Sequence, residues 1–457
     1  MKTSWQERYH ATDVYTLRCK VLDQPGMLGK LITAIGKAQT HVGNISTAGL
    51  DSNNKIRDVQ VFCADKQHLT RLLEMVSAIE GIEVLHVNDD VLEMHNRGVI
   101  EVKSRVSINN LTDLRMVYTP GVASVCNRIV ENPEVAWNLT GLCDRVAIVT
   151  DGTAVLGLGD IGVLASLPVM EGKAAIFAEF ANISAFPILV DTKKPDEIVE
   201  TITRLAAGFG AIQLEDIAAP VCFEIEEKLH QQLNIPVCHD DQHGTATVTL
   251  AALIKALERT GRNPKNCSAI IAGSGAAGYA ITMILREFGI EDIVVYDSSG
   301  PIYSGREKGM NPYKKKLAEL TNPQGIRGNL MEGFRGRDIF IGVARPNMVS
   351  KDMIAAMAPH PLVFPLSNPV GEISVDDAYH SGAAVAADGR TINNALVYPG
   401  LFRGALDVHA HRITLNMQLA AAQTLAGLTP EGALLPDMLD KTIHQRVAAA
   451  VSQAYHP

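Results

Sequence analysis

The run Cys267-Ser268-Ala269-Ile270-Ile271-Ala272-Gly273-Ser274-Gly275-Ala276-Ala277-Gly278 decides how this chain is to be read. Cys267 to Ala272 has the short apolar character of a buried strand, and the glycines that follow turn it into a helix reaching about Phe288. Gly273 allows the tight turn, Gly275 lets the backbone approach a pyrophosphate, and Gly278 permits close helix packing. The helix N-terminus, with Ser274, Ala276 and Ala277, supplies donors and a positive dipole end to an anion. A second strand, Ile293 to Tyr296, ends at Asp297, 19 residues after Gly278. An acid there accepts hydrogen bonds from ribose hydroxyls and repels a 2′-phosphate, which favours NAD and makes NADP the lesser expectation. Arg306 and Lys308 would soften that repulsion if their loop folds back. Glycines alone would also suit an ordinary strand–helix turn. Strand, helix, second strand and terminal acid together indicate a Rossmann unit.

Upstream, two other stretches gather acids where strands should end. These are Ala211-Ile212-Gln213-Leu214-Glu215-Asp216 and Ile235-Pro236-Val237-Cys238-His239-Asp240-Asp241-Gln242-His243-Gly244-Thr245. Ligands in open α/β sheets bind beyond the carboxyl ends of strands, so these acids should share one crevice. Their mutual repulsion calls for a cation, and all-oxygen ligation suits Mg²⁺ or Mn²⁺. N-capping of the next helix is an alternative use for Asp216 or Asp241. His239 and His243 stand four apart, as zinc ligands would, although a supporting role fits better beside so many hard ligands. Lys173, between Gly172 and the apolar run Ala174 to Phe177 (taken as a strand), becomes a candidate base if burial depresses its pKa. Tyr118 sits on a Pro-Gly turn and by itself reads as a packing aromatic.

The rest of the chain is α/β in pattern. Val146–Thr150, Phe186–Val190, Ala211–Leu214 and Ile235–Cys238 are further strand candidates, with helices expected over Pro195–Gly208 and Pro220–Leu233. The front segment differs. Tyr15, Leu17, Cys19 and Val21 alternate, Pro25-Gly26 opens a helix with Leu28, Leu31, Ile32 and Ile35, and two strands meet at Asp51-Ser52-Asn53-Asn54. A second amphipathic helix (Leu69 to Ile79) and a strand near Glu83–Val87 complete a ferredoxin-like βαββαβ order. The segment resembles an ACT domain, a small-ligand regulatory module; a dimerisation module that binds nothing has the same pattern.

The 457 residues are 47% apolar and 20% charged, enough for about three packed units and too apolar for disorder. Net charge is −9 with no long Lys/Arg run, which argues against nucleic-acid binding. The opening residues lack an apolar h-region and no apolar stretch reaches the ~20 residues that span a bilayer. Seven cysteines without C-x-x-C spacing read as reduced core residues. A cytoplasmic protein is therefore expected, with no membrane partner.

Seven motifs then fall in order across roughly residues 95–425. They are Tyr118-Thr119-Pro120-Gly121-Val122, Thr150-Asp151-Gly152 with Gly157-Leu158-Gly159-Asp160, Glu171-Gly172-Lys173, Leu214-Glu215-Asp216, Asp240-Asp241-Gln242-His243-Gly244-Thr245, Ser367-Asn368-Pro369 and Asn393-Asn394-Ala395-Leu396-Val397-Tyr398-Pro399-Gly400. In these the chain resembles the malic enzyme family, in the bacterial type with an N-terminal ACT-like extension. The resemblance implies oxidative decarboxylation of L-malate to pyruvate and CO₂, with NAD and Mg²⁺ or Mn²⁺, and decarboxylation of oxaloacetate. By position, Glu215, Asp216 and Asp241 would be the metal ligands, Lys173 the general base and Tyr118 the general acid. Asn368 and Asn394 would hold malate, with Asn368 also at the nicotinamide end.

The implied organisation is an ACT-like regulatory domain (10–92), a catalytic and metal domain (95–260), a Rossmann domain (261–425) and a helical tail (426–457). The expected assembly is a homodimer or higher homo-oligomer, with a small-molecule effector at the front domain. A malolactic-type enzyme releasing lactate is the nearest alternative. A catalytically silent ligand sensor is the other, although the presence of Tyr118, Lys173 and all three carboxylates speaks against it. The chain departs from the family between Gly389-Arg390 and Asn393-Asn394, where only Thr391-Ile392 intervene and a shorter approach to Asn394 is expected.

Overall fold

The structure, a computed structural model, describes residues 13–155 and 157–456, so the start of the front segment and Pro457 of the tail lie outside the described residues. Contacts divide the chain into two compact units, one up to Glu101 and one from Val102.

In the first unit the order is β1 (Asp13–Leu22), α1 (Met27–Lys37), β2 (His41–Asp51), β3 (Asn54–Cys63), α2 (Lys66–Ser77) and β4 (Ile82–Asp89). The strands form an antiparallel sheet in the order β2-β3-β1-β4, the expected βαββαβ topology. Period-two alternation buries Tyr15, Leu17, Cys19 and Val21 of β1, and the register sets Leu17 opposite Val59 and Tyr15 opposite Val61. That apolar face meets Leu31 and Ile35 of α1 and Leu72 and Val76 of α2, a core of the unit's own.

The second unit opens with α3 (Leu111–Val117) and α4 (Val122–Glu131), neither of which buries a residue. A parallel sheet follows, in the order β6-β5-β7-β8: β5 (Arg145–Thr150), α5 (Val163–Ala181), β6 (Ser184–Leu189), α6 (Pro195–Leu205), β7 (Ala211–Leu214), α7 (Val221–Gln232), β8 (Val237–His239) and α8 (Asp240–Thr260). The second sheet starts with β9 (Ser268–Ala272), α9 (Ala276–Phe288), β10 (Asp292–Asp297), β11 (Gly300–Pro301) and α10 (Pro312–Leu320). It continues with β12 (Ile339–Gly342), β13 (Leu362–Pro365) and β14 (Val385–Ala386), in the order β11-β10-β9-β12-β13-β14, parallel except at β11. Three helices close the chain, α11 (Tyr398–Asp407), α12 (Leu415–Leu428) and α13 (Lys441–Gln453). They pack into the unit: Phe177 of α5 meets the rings of Tyr398 and Phe402 at 4.8 and 5.4 Å, and Gly404 has no side chain where Val451 approaches.

One strand expectation fails. Ala174–Phe177 lies inside α5, whose buried residues Ser166, Met170, Ala174, Phe177 and Ala181 recur at helical spacing. A four-residue apolar run cannot be told from a buried helix segment by periodicity, and the surrounding alanines are strong helix formers. Lys173 therefore projects from a helix and not from a strand end.

Candidate active site

The ends of β7 and β8 deliver the acids. Glu215 continues β7 through its N–H to the Val149 carbonyl, and Asp216 then turns sharply with φ of 53°, a left-handed conformation seldom adopted without glycine. That turn lets the Asp216 N–H donate to Asp241 Oδ2 at 3.0 Å, so Asp241 ties two strand ends together and caps no helix of its own. Among the described residues, Glu215, Asp216 and Asp241 are the one group whose ligand atoms converge, all within 4.8 Å of one another.

Lys173 reaches this cluster from α5. Its Nζ lies 2.9 Å from Glu215 Oε1, bonds Asp240 Oδ2, and sits 4.8 Å from the centroid of the Tyr398 ring. Gly244 is required here, because a Cβ would fall 1.9 Å from Asp240 Oδ1 and 3.3 Å from Asn394 Cβ. The expected depression of the Lys173 pKa does not occur. Burial alone would lower it, but Asp240 and Glu215 beside the ammonium hold it well above its ordinary value. Burial and then repulsion from Glu215 and Asp241 push Asp216 up to about 8. Burial takes Asp240 up to about 6 despite Lys173, and raises Glu215 and Asp241 as well. Asp216 Oδ2 is buried with no hydrogen-bond partner. Three hard oxygen donors, raised carboxyls and an orphaned oxygen fit a divalent hard cation.

Histidines support this floor from below. Glu226, buried at 7% exposure, accepts from the His239 N–H, from Gln242 and from His243 Nε2, and Gln418 of α12 meets His243 Nδ1 at 3.2 Å. His243 is thus turned onto Glu226 and away from the acid triad. His239 has neither ring nitrogen partnered, with Nδ1 at 3.8 Å from Asp241 Oδ2.

At the end of β9 the glycine fingerprint has the steric form expected. Gly273 adopts φ of 114° and a Cβ there would meet the Val343 carbonyl at 2.4 Å, while one on Gly278 would meet the Gly273 carbonyl at 2.0 Å. Around Gly275 the space is open, and α9 begins at Ala276 and Ala277. Gly273, Ser274, Gly275, Asp297, Ala344 and Arg345 line a cleft of about 580 Å³, a cradle suited to a dinucleotide. Asp297 is not a bare acid. Its Oδ2 accepts from Arg306 at 2.6 Å and Lys314 at 2.7 Å, and its Oδ1 from the Ser299 N–H. Burial opposes ionisation, but these partners hold the carboxyl below its usual range. The loop does fold back through Arg306; the second cation is Lys314, and Lys308 contributes only its carbonyl.

Asn394 follows a tight turn in which Asp388 accepts from Arg390, Thr391 and the Thr391 hydroxyl, so the short loop still brings it beside Gly244. Asn368 is half-buried beyond β13, its chain against Gly157 of the loop whose Ala154 N–H bonds the Asp216 carbonyl. Tyr118 is not brought to Lys173: it is 69% exposed, just beyond α3. The contributions of Glu226, Lys314 and Tyr398 were missed in the sequence because each depends on partners from another element. Tyr398 lies within the motif Asn393–Gly400, but its contact with Lys173 depends on how α11 packs on α5.

A dinucleotide cleft on one parallel sheet and a buried lysine–carboxylate cluster on its neighbour define an α/β oxidoreductase of the dehydrogenase class. Residues 97–195 match the family description "Malic enzyme, N-terminal domain" and residues 242–455 match "Malic enzyme, NAD binding domain". The chain is 42% identical over 434 residues to the NAD-dependent malic enzyme of Geobacillus stearothermophilus, covering 93% of this chain and 90% of that one. It is 45% identical to the bifunctional malic/malolactic enzyme of Bacillus subtilis over 81% of this chain and 93% of the relative. The crystal structure of an NAD-dependent malic enzyme from Thermotoga maritima superposes with a TM-score of 0.77 at 39% identity, covering 79% of this chain and 99% of that one. The chain belongs to the malic enzyme family.

Proposed function

We propose that this chain carries out the divalent-metal-dependent oxidative decarboxylation of L-malate to pyruvate and CO₂ with NAD, and also decarboxylates oxaloacetate. The observation that carries the reading is Lys173, held between Glu215 and Asp240 in a cluster where Asp216 keeps an unpartnered buried oxygen and Gly244 brings Asn394 against Asp240. Mg²⁺ or Mn²⁺ held by Glu215, Asp216 and Asp241 would serve as a Lewis acid for charge developing on the C2 oxygen and would oppose the Lys173 ammonium. Bound NAD, on Gly273 to Gly278 with Asp297 at the ribose, would accept the hydride from C2. In its neutral form, which the bound cation would favour against the pull of Asp240 and Glu215, Lys173 Nζ takes the C2 hydroxyl proton, with Asp240 and the Tyr398 ring fixing the amine. Asn394 and Asn368 hold malate, Asn368 toward the nicotinamide end. Tyr118 returns a proton to C3 of the enol.

The exposed position of Tyr118 fits a homodimer. Leu111 and Met116 of α3 and Val130 of α4, the helices on either side of it in the chain, are 70, 63 and 82% exposed, and neither helix buries a residue in its own chain. An exposed apolar face of this kind favours a protein partner, and a second copy would cover it and bring Tyr118 of the partner subunit to Lys173. The front βαββαβ unit is read as an ACT-like regulatory domain that takes a small effector. The seven free cysteines favour a cytoplasmic setting, and no described helix is long and apolar enough to cross a membrane.

The bifunctional relative supports a second reading, decarboxylation of malate to lactate with the nucleotide retained. Absorbance of NADH with pyruvate and lactate measured after L-malate and Mn²⁺ separates the two. Equimolar NADH and pyruvate are expected; lactate without free NADH would favour the second, and neither product would refute both.

A further inference from the structure

The loops that follow β12 and β13 share one buried carboxylate. Glu372 has no exposed surface, and its Oε1 accepts from the Ala344 N–H at 2.7 Å and the Ser367 hydroxyl at 2.5 Å. Its Oε2 accepts from the Ser367 N–H at 3.3 Å. The backbone continues the seam, since the Gly371 and Glu372 carbonyls accept from the N–H groups of Asn347 and Val349, both at 3.0 Å. Gly342, the last residue of β12, leaves room for this carboxylate: a Cβ there would lie 2.4 Å from Glu372 Cδ.

Each loop has its own task. Ala344, Arg345 and Met348 line the dinucleotide cleft. Ser367 precedes Asn368, whose amide nitrogen packs so closely on Gly389 that a Cβ there would approach to 2.6 Å. A buried charge is tolerated only when fully hydrogen-bonded, and bonds to an ionised acceptor are short and strong. A carboxylate with donors from both loops therefore sets them in one register.

We infer that Glu372 is a positioning residue that locks the cofactor-lining loop 343–348 to the substrate-side loop 367–369, coupling occupancy of the dinucleotide cleft to the setting of Asn368. It deepens the reading above and rests on it for the malate contact of Asn368; the cofactor half does not. In Glu372→Gln one oxygen becomes an NH₂ group facing a donor, with volume unchanged. In the full chain this variant is expected to bind NADH, followed by fluorescence, at least about tenfold more weakly, and to raise the malate KM by a similar factor, the scale of a charge-assisted hydrogen bond. The fall in kcat should be smaller and the melting temperature close to wild type. A folded variant with both constants unchanged, or one whose melting temperature alone falls, overturns the inference. If Glu372→Gln does not fold, Ser367→Ala decides: it removes only the hydroxyl bond, so malate KM should rise several-fold with NADH affinity little changed, and an unchanged malate KM overturns the inference. Wild-type protein that binds NADH without consuming malate would refute the functional reading while the NADH comparison still tests Glu372.

Discussion

Two clusters of charged side chains stand at the carboxyl ends of the two parallel sheets, and they are balanced in opposite directions. Beyond β7 and β8, Glu215, Asp216, Asp240 and Asp241 share the single cation Lys173. At the end of β10, the single acid Asp297 holds both Arg306 and Lys314. Burial pushes every one of these carboxyls upward, yet Asp216 ends near 8 and Asp297 below its usual range. The partner count decides the sign. The first cluster sets four acids against one lysine and keeps an orphaned oxygen, the imbalance on which the proposed metal site rests. The second is complete by itself and presents Lys314, whose side chain keeps 20% exposure, to the cofactor cleft.

Removing one acid from the first cluster should have the largest effect. Asp241→Ala is expected to lower Mn²⁺-dependent malate turnover and oxaloacetate decarboxylation by at least about 10³-fold, because several kcal/mol of Lewis-acid stabilisation are lost. NADH binding should survive; metal-dependent activity surviving with it would take Asp241 out of the ligand set. Next come the residues proposed for proton transfer. Lys173→Ala and Tyr118→Phe should each reduce kcat at least about 10²-fold with modest change in malate KM. A near-normal kcat in either variant refutes the role of that residue.

The second cluster gives a subtler prediction. With Asp297 ionised, kcat/KM should favour NAD over NADP, but Arg306 and Lys314 offset much of its repulsion of a 2′-phosphate. Asp297→Ala should narrow the ratio, and Lys314→Met should widen it by about tenfold through poorer use of NADP. A wild-type preference for NADP, or a ratio that Lys314→Met leaves alone, contradicts this balance.

These predictions rest unequally on the primary sequence. The fingerprint from Cys267 to Asp297 could be read directly because its chemistry is local: a glycine turn, a helix start and an acid one strand away. The motif acids were equally visible, since strand ends converge in any open parallel sheet. The raised pKa of Lys173 was not, because Glu215 and Asp240 lie 42 and 67 residues further along the chain and their number outweighs burial. Nor was the exposure of Tyr118, which depends on how α3 and α4 lie on the fold.

The smallest expected effect lies beneath the acid cluster and concerns stability. Burial works against Glu226, but His243, with His239 and His230, brings its carboxyl down to about 2, so its contribution is present above the usual carboxyl range and lost as pH falls toward 2. His243 is shifted upward by Glu226 despite burial, so its share is full below the ordinary histidine value and fades as pH rises through the raised one. By linkage the glutamate share reaches about 3 kcal/mol. Denaturant unfolding of Glu226→Gln between pH 3 and 8, against wild type, should show flatter slopes at both ends; parallel curves would mean the pair carries no such energy.

The central claim is that burial and crowding raise the carboxyls of the first cluster, Asp216 to about 8, and that a divalent cation bound there would reverse the shift. Titration calorimetry of Mn²⁺ into the full chain near pH 7, in two buffers of different ionisation enthalpy, tests it most directly. Asp216 at about 8 should release about one proton per ion bound, and Asp216→Asn should bind more weakly and release fewer. Tight Mn²⁺ binding with no proton release, unchanged in Asp216→Asn, would contradict it.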